Sequence, residues 1–268
     1  MKKKLEHDER TMVFGFKNSL SNRNKTAYES IHRYVQSRSP DLLGVESFES
    51  DIAREINKAR IDHLDSLKLP IAQKRVLDVG CGVGHLAQYF VKQRCSVLCV
   101  DARDQNIEAL RRGYPGLEAR VLNVETQDLQ PLGRFDVVFC YGLLYHLENP
   151  LGFLHKVSAV CQDFLLLETM ILDHPRPLMH LVDESLSNDQ ALHGLAHRPS
   201  PSYVTFALTR AGFTHVYSAV RPPRHRDFEF ELKGDLSHRR SGANLRMIFV
   251  ASKKPLTSPE LTQIYPPL

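Results

Sequence analysis

The sequence is short of several features that would fix its class at once. No stretch of its 268 residues approaches the ~18 consecutive apolar residues of a spanning helix, which argues against a membrane protein. The basic start, MKKKLEHDER, has no apolar run behind it and does not read as a signal peptide. Cysteine is sparse and never spaced CxxC. Its five positions, 81, 95, 99, 140 and 161, are an odd number, and the last four sit in or beside apolar runs. This speaks against a disulfide framework and a thiolate zinc site, and reads as buried thiols in a reducing cytosol. Charge of one sign is barely in excess: 35 Lys plus Arg against 31 Asp plus Glu gives +4, which permits an anionic substrate or RNA without demanding either. No internal repeat or low-complexity tract occurs. What remains is ordinary globular material, 42 % hydrophobic and 25 % charged, enough for one large α/β domain or two small ones.

Along the chain, residues 1–48 are polar and irregular, with a helix expected near 25–36. From Asp51 to Leu67 the apolar side chains Ile52, Ile56, Ala59 and Leu67 recur at helical spacing, Ser50 or Asp51 can cap the start, and Pro70 lies beyond the end. Strand-length apolar runs follow at 75–79, 96–100, 119–122, 135–140 and 164–167. Helical patterns separate them at 84–92, 104–112 and 150–159. Strands buried on both faces and joined by helices indicate a parallel sheet with right-handed crossovers. The rhythm breaks after Glu168, and 169–200 reads as an inserted cap. A helix then starts at Ser200-Pro201 and ends at Gly212, with strands expected near 215–220 and 245–252. The organisation expected is an N-terminal helical extension (1–68), one domain (69–255) carrying the cap, and a loose Pro-rich tail (256–268).

The most informative segment is Arg75-Val-Leu-Asp-Val-Gly-Cys-Gly-Val-Gly-His. A buried strand delivers Asp78, and glycines at 80, 82 and 84 then let the backbone turn tightly and approach a ligand. The spacing is G-x-G-x-G rather than the dinucleotide G-x-G-x-x-G, because position 85 is His. The second strand ends in Asp101, where a carboxylate can accept ribose hydroxyls.

With these residues in place, the sequence resembles the class I S-adenosylmethionine-dependent methyltransferases over roughly residues 70–255. The resemblance implies a Rossmann-like, seven-stranded, mostly parallel sheet whose last strand is inserted antiparallel. It implies S-adenosyl-L-methionine as cofactor. Gly80, Cys81, Gly82 and Gly84 would pass its methionine part, Asp78 would help organise the amino group, and Asp101 with Ala102 would hold the ribose. Asn123, Val124 and Glu125 would border the adenine, with either polar residue meeting its amine. Tyr141 would lie near the sulfonium, where an aromatic ring favours a cation.

The fourth strand runs out into Tyr141-Gly-Leu-Leu-Tyr-His, placing Tyr145 and His146 at the carboxyl edge of the sheet. A hydroxyl acceptor needs a base at neutral pH. His146 is the first candidate and Glu168, at the end of the fifth strand, is the second, acting directly or by orienting a histidine or the acceptor. Tyr145 and His146 could equally pack the adenosyl side. The polar groups of the cap, Asp173, His174, Asp183, Glu184, Asn188, Asp189, Gln190, His193, His197 and Arg198, are expected to line an acceptor pocket, the plainer alternative being a solvated surface. His193 and His197 stand four apart, but Gly194 replaces the Glu of a zinc-peptidase motif, so no metal is expected.

Two branches of the family fit. Tyr145-His146 and Leu167-Glu168 resemble the tRNA wobble-uridine carboxymethyltransferases, which use a carboxylated cofactor. Those enzymes have basic residues after Tyr-His, whereas Leu147-Glu148-Asn149 follows here. Ser187-Asn-Asp-Gln and Arg198-Pro-Ser-Pro resemble bacterial enzymes that methylate sugars or other small hydroxylated molecules, and O-methylation of such an acceptor is the expectation. Two non-catalytic readings fit less well. A pseudoenzyme is disfavoured by the intact glycine loop and both acids. A nucleic-acid module would rest on Arg221-Pro-Pro-Arg-His-Arg and Ser237-His-Arg-Arg, clusters interrupted by Asp227, Glu229 and Glu231.

Overall fold

A computed structural model of the protein describes residue 45, residues 47–184, 191, 192 and 194–265. The helix expected near 25–36, and the cap residues 185–190 and 193, lie outside the described residues.

The elements follow the alternation of the sequence. Helix α1 (Asp51–Ser66) leads into β1 (Arg75–Val79), α2 (Ala87–Lys92), β2 (Ser96–Asp101), α3 (Asp104–Gly113), β3 (Glu118–Val121) and β4 (Phe135–Tyr141). A 3-10 turn at Leu144–His146 precedes α4 (Pro150–Val160) and β5 (Cys161–Met170). The hairpin β6 (Met179–Asp183) and β7 (Leu195–Pro199) comes next, then α5 (Pro201–Arg210), β8 (His215–Ala219), β9 (Arg239–Arg240), β10 (Ala243–Asn244), β11 (Arg246–Ser252) and β12 (Leu261–Tyr265). Side chains start the helices as the sequence indicates. Ser50, Asn149 and Ser200 each accept a backbone N–H of the first turn, and Pro150 and Pro201 occupy the position where a missing N–H costs nothing. Helix α2 begins three residues later than its pattern, because Gly84 and the two residues after it complete the turn out of the glycine loop.

The main sheet runs β12-β8-β11-β5-β4-β1-β2-β3. Strands β3, β2, β1, β4 and β5 are parallel, and β11 is inserted antiparallel between β5 and β8. This is the expected mixed sheet, with one strand more. The tail is not loose throughout: Leu261–Tyr265 pairs antiparallel with β8. Pro255 and Pro259 hide the strand in the sequence. The pairing covers the backbone edge that β8 would otherwise present, and Leu261 and Ile264 pack on the core. Strand β5 also runs past Leu167 to Met170, because Glu168 and Thr169 pair with Ile248 and Met247 of β11. The expected cap therefore begins at Ile171, and its described part is the β6–β7 hairpin.

Alternate residues of each central strand feed two cores. Leu77, Val79, Val138 and Leu165 face one side with α4 and α5. Val76, Val137, Phe139 and Leu166 face the other, where Ile56, Leu64 and Leu67 of α1 and its end pack. One end of α1 is thereby brought to the carboxyl edge of the sheet.

Candidate active site

A cavity of about 610 Å³ opens where the chain order of the sheet reverses, between the carboxyl ends of β1, β2 and β4. Ligands bind at such switch points because two adjacent loops diverge there. The glycine loop, the end of β2, the segment after β3 and the segment 141–147 form its walls, and Ile56, Asn57 and Arg60 of α1 close another side.

On the side of the glycine loop, Asp101 is fixed by three donors. Its Oδ2 accepts the Gly82 N–H at 3.0 Å, and its Oδ1 accepts the Arg103 N–H at 2.9 Å and Asn106 Nδ2 at 3.1 Å. The carboxylate is thus oriented while still lining the cavity. Asp78 behaves differently. It is buried, its Oδ2 has no partner among the described residues, and burial followed by repulsion from Asp101 pushes its pKa up to about 8. Gly80, Cys81, Ala102, Asn123, Val124, Glu125 and Tyr141 line the cavity, and the buried Tyr141 hydroxyl also has no partner among the described residues. Glu125 Oε1 accepts the N–H groups of Glu148 and Asn149, at 2.7 and 3.1 Å, and Asn123 Oδ1 accepts that of Glu125. Both candidate adenine partners therefore also tie the segment after β3 into one rigid wall.

All three loop glycines lie at positive φ, and Gly80 lines the cavity. A Cβ on Gly84 would stand 2.9 Å from Leu110 Cδ1, so this glycine lets α3 pack against the loop. A Cβ on Gly82 would meet the Phe48 ring at 2.6 Å. Burial pushes the Cys81 thiol well up, and Cys161 to about 12, so neither is poised as a thiolate.

The opposite side is built from groups far apart in sequence. His146 Nδ1 lies 2.6 Å from Glu184 Oε2, and Glu184 Oε1 accepts Arg198 Nη2 at 2.9 Å. Burial lowers the His146 pKa, and the Glu184 carboxylate opposes this without overcoming it, so the imidazole is neutral at pH 7. The Tyr145 ring lies 4.1 Å from that of His146, centroid to centroid. The guanidiniums of Arg198 and Arg246 each stand 5.2 Å from its centre.

Glu168, expected as the second base or as a group orienting a histidine or the acceptor, is engaged on both oxygens. It is fully buried, and its Oε2 accepts Arg60 Nη2 at 2.6 Å while its Oε1 accepts Arg246 Nη1 at 2.9 Å. Burial alone would raise its pKa, but the two guanidiniums hold it below the usual carboxylate range. Through this pair it orients Arg246, whose guanidinium reaches the Tyr145 hydroxyl at 3.3 Å. The register explains this. Ile248 is opposite Glu168 and Arg246 opposite Met170, so Arg246 is the diagonal neighbour on the same sheet face.

Of the cap's polar residues, Glu184, His197 and Arg198 are buried beside Tyr145 and His146. Asp173 instead holds the 221–244 ribbon, accepting the Lys233 and Gly234 N–H groups and Arg240. Arg60, Asn106 and Arg246 belong to the site without forming part of any sequence motif. The signals were present: Arg60 stands four residues after Ile56 on the apolar stripe of its helix, and Arg246 opens an otherwise apolar strand.

The fold and this site define the class. The chain belongs to the methyltransferase-domain family, which matches residues 48–218. Among curated relatives, the tRNA U34 carboxymethyltransferase of Alteromonas mediterranea is 28 % identical over 165 residues, covering 58 % of this chain and 48 % of that protein. The ubiquinone biosynthesis O-methyltransferase of Paracidovorax citrulli is 34 % identical over 101 residues, 36 % of this chain and 42 % of that protein. The chain thus spans about half the length of the curated relatives it matches. In structure, the N-terminal domain of EvdMO1, crystallised in the presence of SAH and D-fucose, shares the fold. Its TM-score is 0.58 at 22 % identity, over 87 % of this chain and 98 % of that one.

Proposed function

We propose that the protein transfers a methyl group from S-adenosylmethionine to a hydroxyl of a small, saccharide-type acceptor. The observation that carries this reading is that His146, a neutral histidine held by a carboxylate, lines the same cavity as the glycine loop and the oriented Asp101.

The residues present fit the cofactor. Asp101 offers acceptors to the ribose, the segment 123–125 borders the adenine, and the unpartnered Asp78 carboxylate is suited to an ammonium group. The bound cofactor supplies an electrophilic methyl group on a sulfonium. The chain's own part is to exclude water, align the acceptor and remove its proton. Tyr141 and Tyr145 offer ring faces to a cation. The ring nitrogen of His146 not engaged by Glu184 takes the acceptor proton.

A small acceptor fits the charge of the site. Arg60 and Arg246 are balanced by Glu168 and Asp227, and Arg198 by Glu184, so these three guanidiniums are already matched by carboxylates of the protein. Two of the ribbon's basic groups are engaged as well: Arg221 pairs with Glu260 at 3.0 Å, and Arg240 with Asp173 and Asp235. The second reading, transfer to a tRNA wobble uridine, rests on the likeness to the tRNA U34 carboxymethyltransferase.

Tritiated methyl transfer from S-adenosylmethionine into monosaccharides, phenols and bulk tRNA tests the acceptor. Label in a small hydroxylated molecule is expected, and label in tRNA alone, with steep salt dependence, would overturn it. Calorimetry of S-adenosylhomocysteine tests the cofactor. Asp101→Ala should weaken binding about 100-fold, since it removes the charge-assisted acceptors of the ribose, and unchanged affinity would sink the assignment.

A further inference from the structure

The β6–β7 hairpin carries a second component of the base. We infer that Glu184, the first residue after β6, is a positioning residue that holds His146 as its Nδ1–H tautomer and leaves Nε2 to accept the proton. This rests on the reading of His146 as the base.

The argument begins with how the hairpin is seated. Its two strands meet the Leu144–His146 turn at separate points. On β7, His197 Nδ1–H donates to the Tyr145 carbonyl at 3.2 Å, and Arg198 lies over the Tyr145 ring. Beyond β6, the Glu184 N–H donates to the Gly194 carbonyl at 2.7 Å, which closes the hairpin at that level and fixes the direction of the side chain. The carboxylate is buried and both its oxygens are occupied, Oε1 by Arg198 and Oε2 by His146. It has one orientation available.

A carboxylate only accepts hydrogen bonds, so the contact at 2.6 Å requires a proton on Nδ1. The charged groups facing the ring decide whether Nε2 carries one as well. Glu184 favours a cation. Arg198, Arg246 and burial oppose one, and His197 is itself held neutral by burial. Arg198 already shares the Glu184 charge, and Arg246 is matched by Glu168 and Asp227. An imidazolium would add a third cation with no carboxylate of its own. The ring therefore stays neutral with its one proton on Nδ1, and Nε2 makes no hydrogen bond to another described residue. When Nε2 takes the acceptor's proton, its lone pair forms the new N–H bond as the O–H bond breaks. The resulting imidazolium faces an anionic Glu184, which stabilises it.

An ordinary structural pair would need only some acceptor at Nδ1. A positioning carboxylate also sets the basicity of Nε2, so charge and tautomer must both change the chemistry. Long-range 1H–15N spectra of the labelled full chain read both, with the His146 signal identified by its loss in His146→Gln. At pH 7 the wild type is expected to show Nδ1 protonated and Nε2 bare. Glu184→Gln keeps an acceptor and the tautomer, but its imidazole should titrate about one pH unit lower, because the neighbouring negative charge is gone. In Glu184→Ala both tautomers should appear. S-adenosylhomocysteine affinity within about twofold of wild type, the precision of the calorimetric comparison, will show that the variants fold.

With the acceptor found by methyl labelling, Glu184→Ala should lower kcat roughly 100-fold, with the KM for S-adenosylmethionine unchanged. An Nε2–H tautomer in the wild type, or an unaltered tautomer in Glu184→Ala, would overturn the proposal. The base reading fails by a different result, full turnover in His146→Gln. Loss of turnover in His146→Gln with no effect of Glu184→Ala would leave the base standing and remove Glu184.

Discussion

Asp78 and Glu168 are both buried carboxylates near the carboxyl ends of central strands, yet they are opposite in character. Asp78 has an oxygen with no partner, and its pKa is driven up to about 8. Glu168 is clasped by Arg60 and Arg246 and is held ionised. A buried acid without a partner costs stability and is worth keeping only where something cationic arrives. A buried acid between two guanidiniums is architecture, a joint between α1, β5 and β11. Asp78 thus keeps one oxygen without a partner among the described residues, whereas the joint around Glu168 has both carboxylate oxygens answered within the protein.

The largest expected effect breaks the second half of that contrast. Glu168→Leu leaves Arg60 buried without its counter-charge and Arg246 with Asp227 alone, which should cost about 3–5 kcal/mol of stability by urea denaturation. A cost below about 1 kcal/mol, the scale of an exposed pair, would mean that the clasp is not structural. The linkage signs also differ. Glu168 has a lowered pKa, so its contribution is present at neutral pH and lost as the pH falls below the ordinary carboxylate range. Asp78 has a raised pKa, so the folded chain binds the extra proton, and stability falls as the pH rises from about 4 to about 8.

Asp78→Asn separates the two sites more sharply. The free protein should become more stable relative to wild type as the pH approaches 8, because the penalty for ionising Asp78 is gone. S-adenosylhomocysteine should meanwhile bind about tenfold more weakly, the loss of one charge-assisted hydrogen bond. Thermal unfolding across pH and calorimetry at pH 8 read these out. A variant that binds the ligand as the wild type does would show that Asp78 waits for nothing.

The same division explains what could be read in the chain. Asp78, the glycines and Asp101 lie on one strand–loop–helix–strand unit, and Asp101 bonds a loop residue 19 positions away. Spacing along a single unit encodes that geometry. The far side joins residues 38 to 108 positions apart: His146 with Glu184, Arg246 with Glu168, Arg60 with Glu168. No local pattern encodes such pairings, which follow from sheet register and from where α1 docks. Glu168 was therefore legible as a strand-end acid but not as the centre of a clasp. The eighth strand was masked in a similar way, because its pairing with β8 is stronger information than the prolines around it.

The smallest effect tests how Asp101 is held. Asn106 Nδ2 is one of its three donors, at 3.1 Å, and the Asn106 side chain also lines the cavity with an oxygen that has no partner. If Asn106 acts only through Asp101, Asn106→Ala removes one donor while the Gly82 and Arg103 N–H groups keep the carboxylate in place. The expected loss is about 1 kcal/mol, roughly fivefold in S-adenosylhomocysteine affinity, with little change in stability. A loss as large as that from Asp101→Ala would require Asn106 to meet the ligand directly through its free oxygen. The ligand would then answer an unpartnered oxygen on α3 as well as the one Asp78 holds on β1.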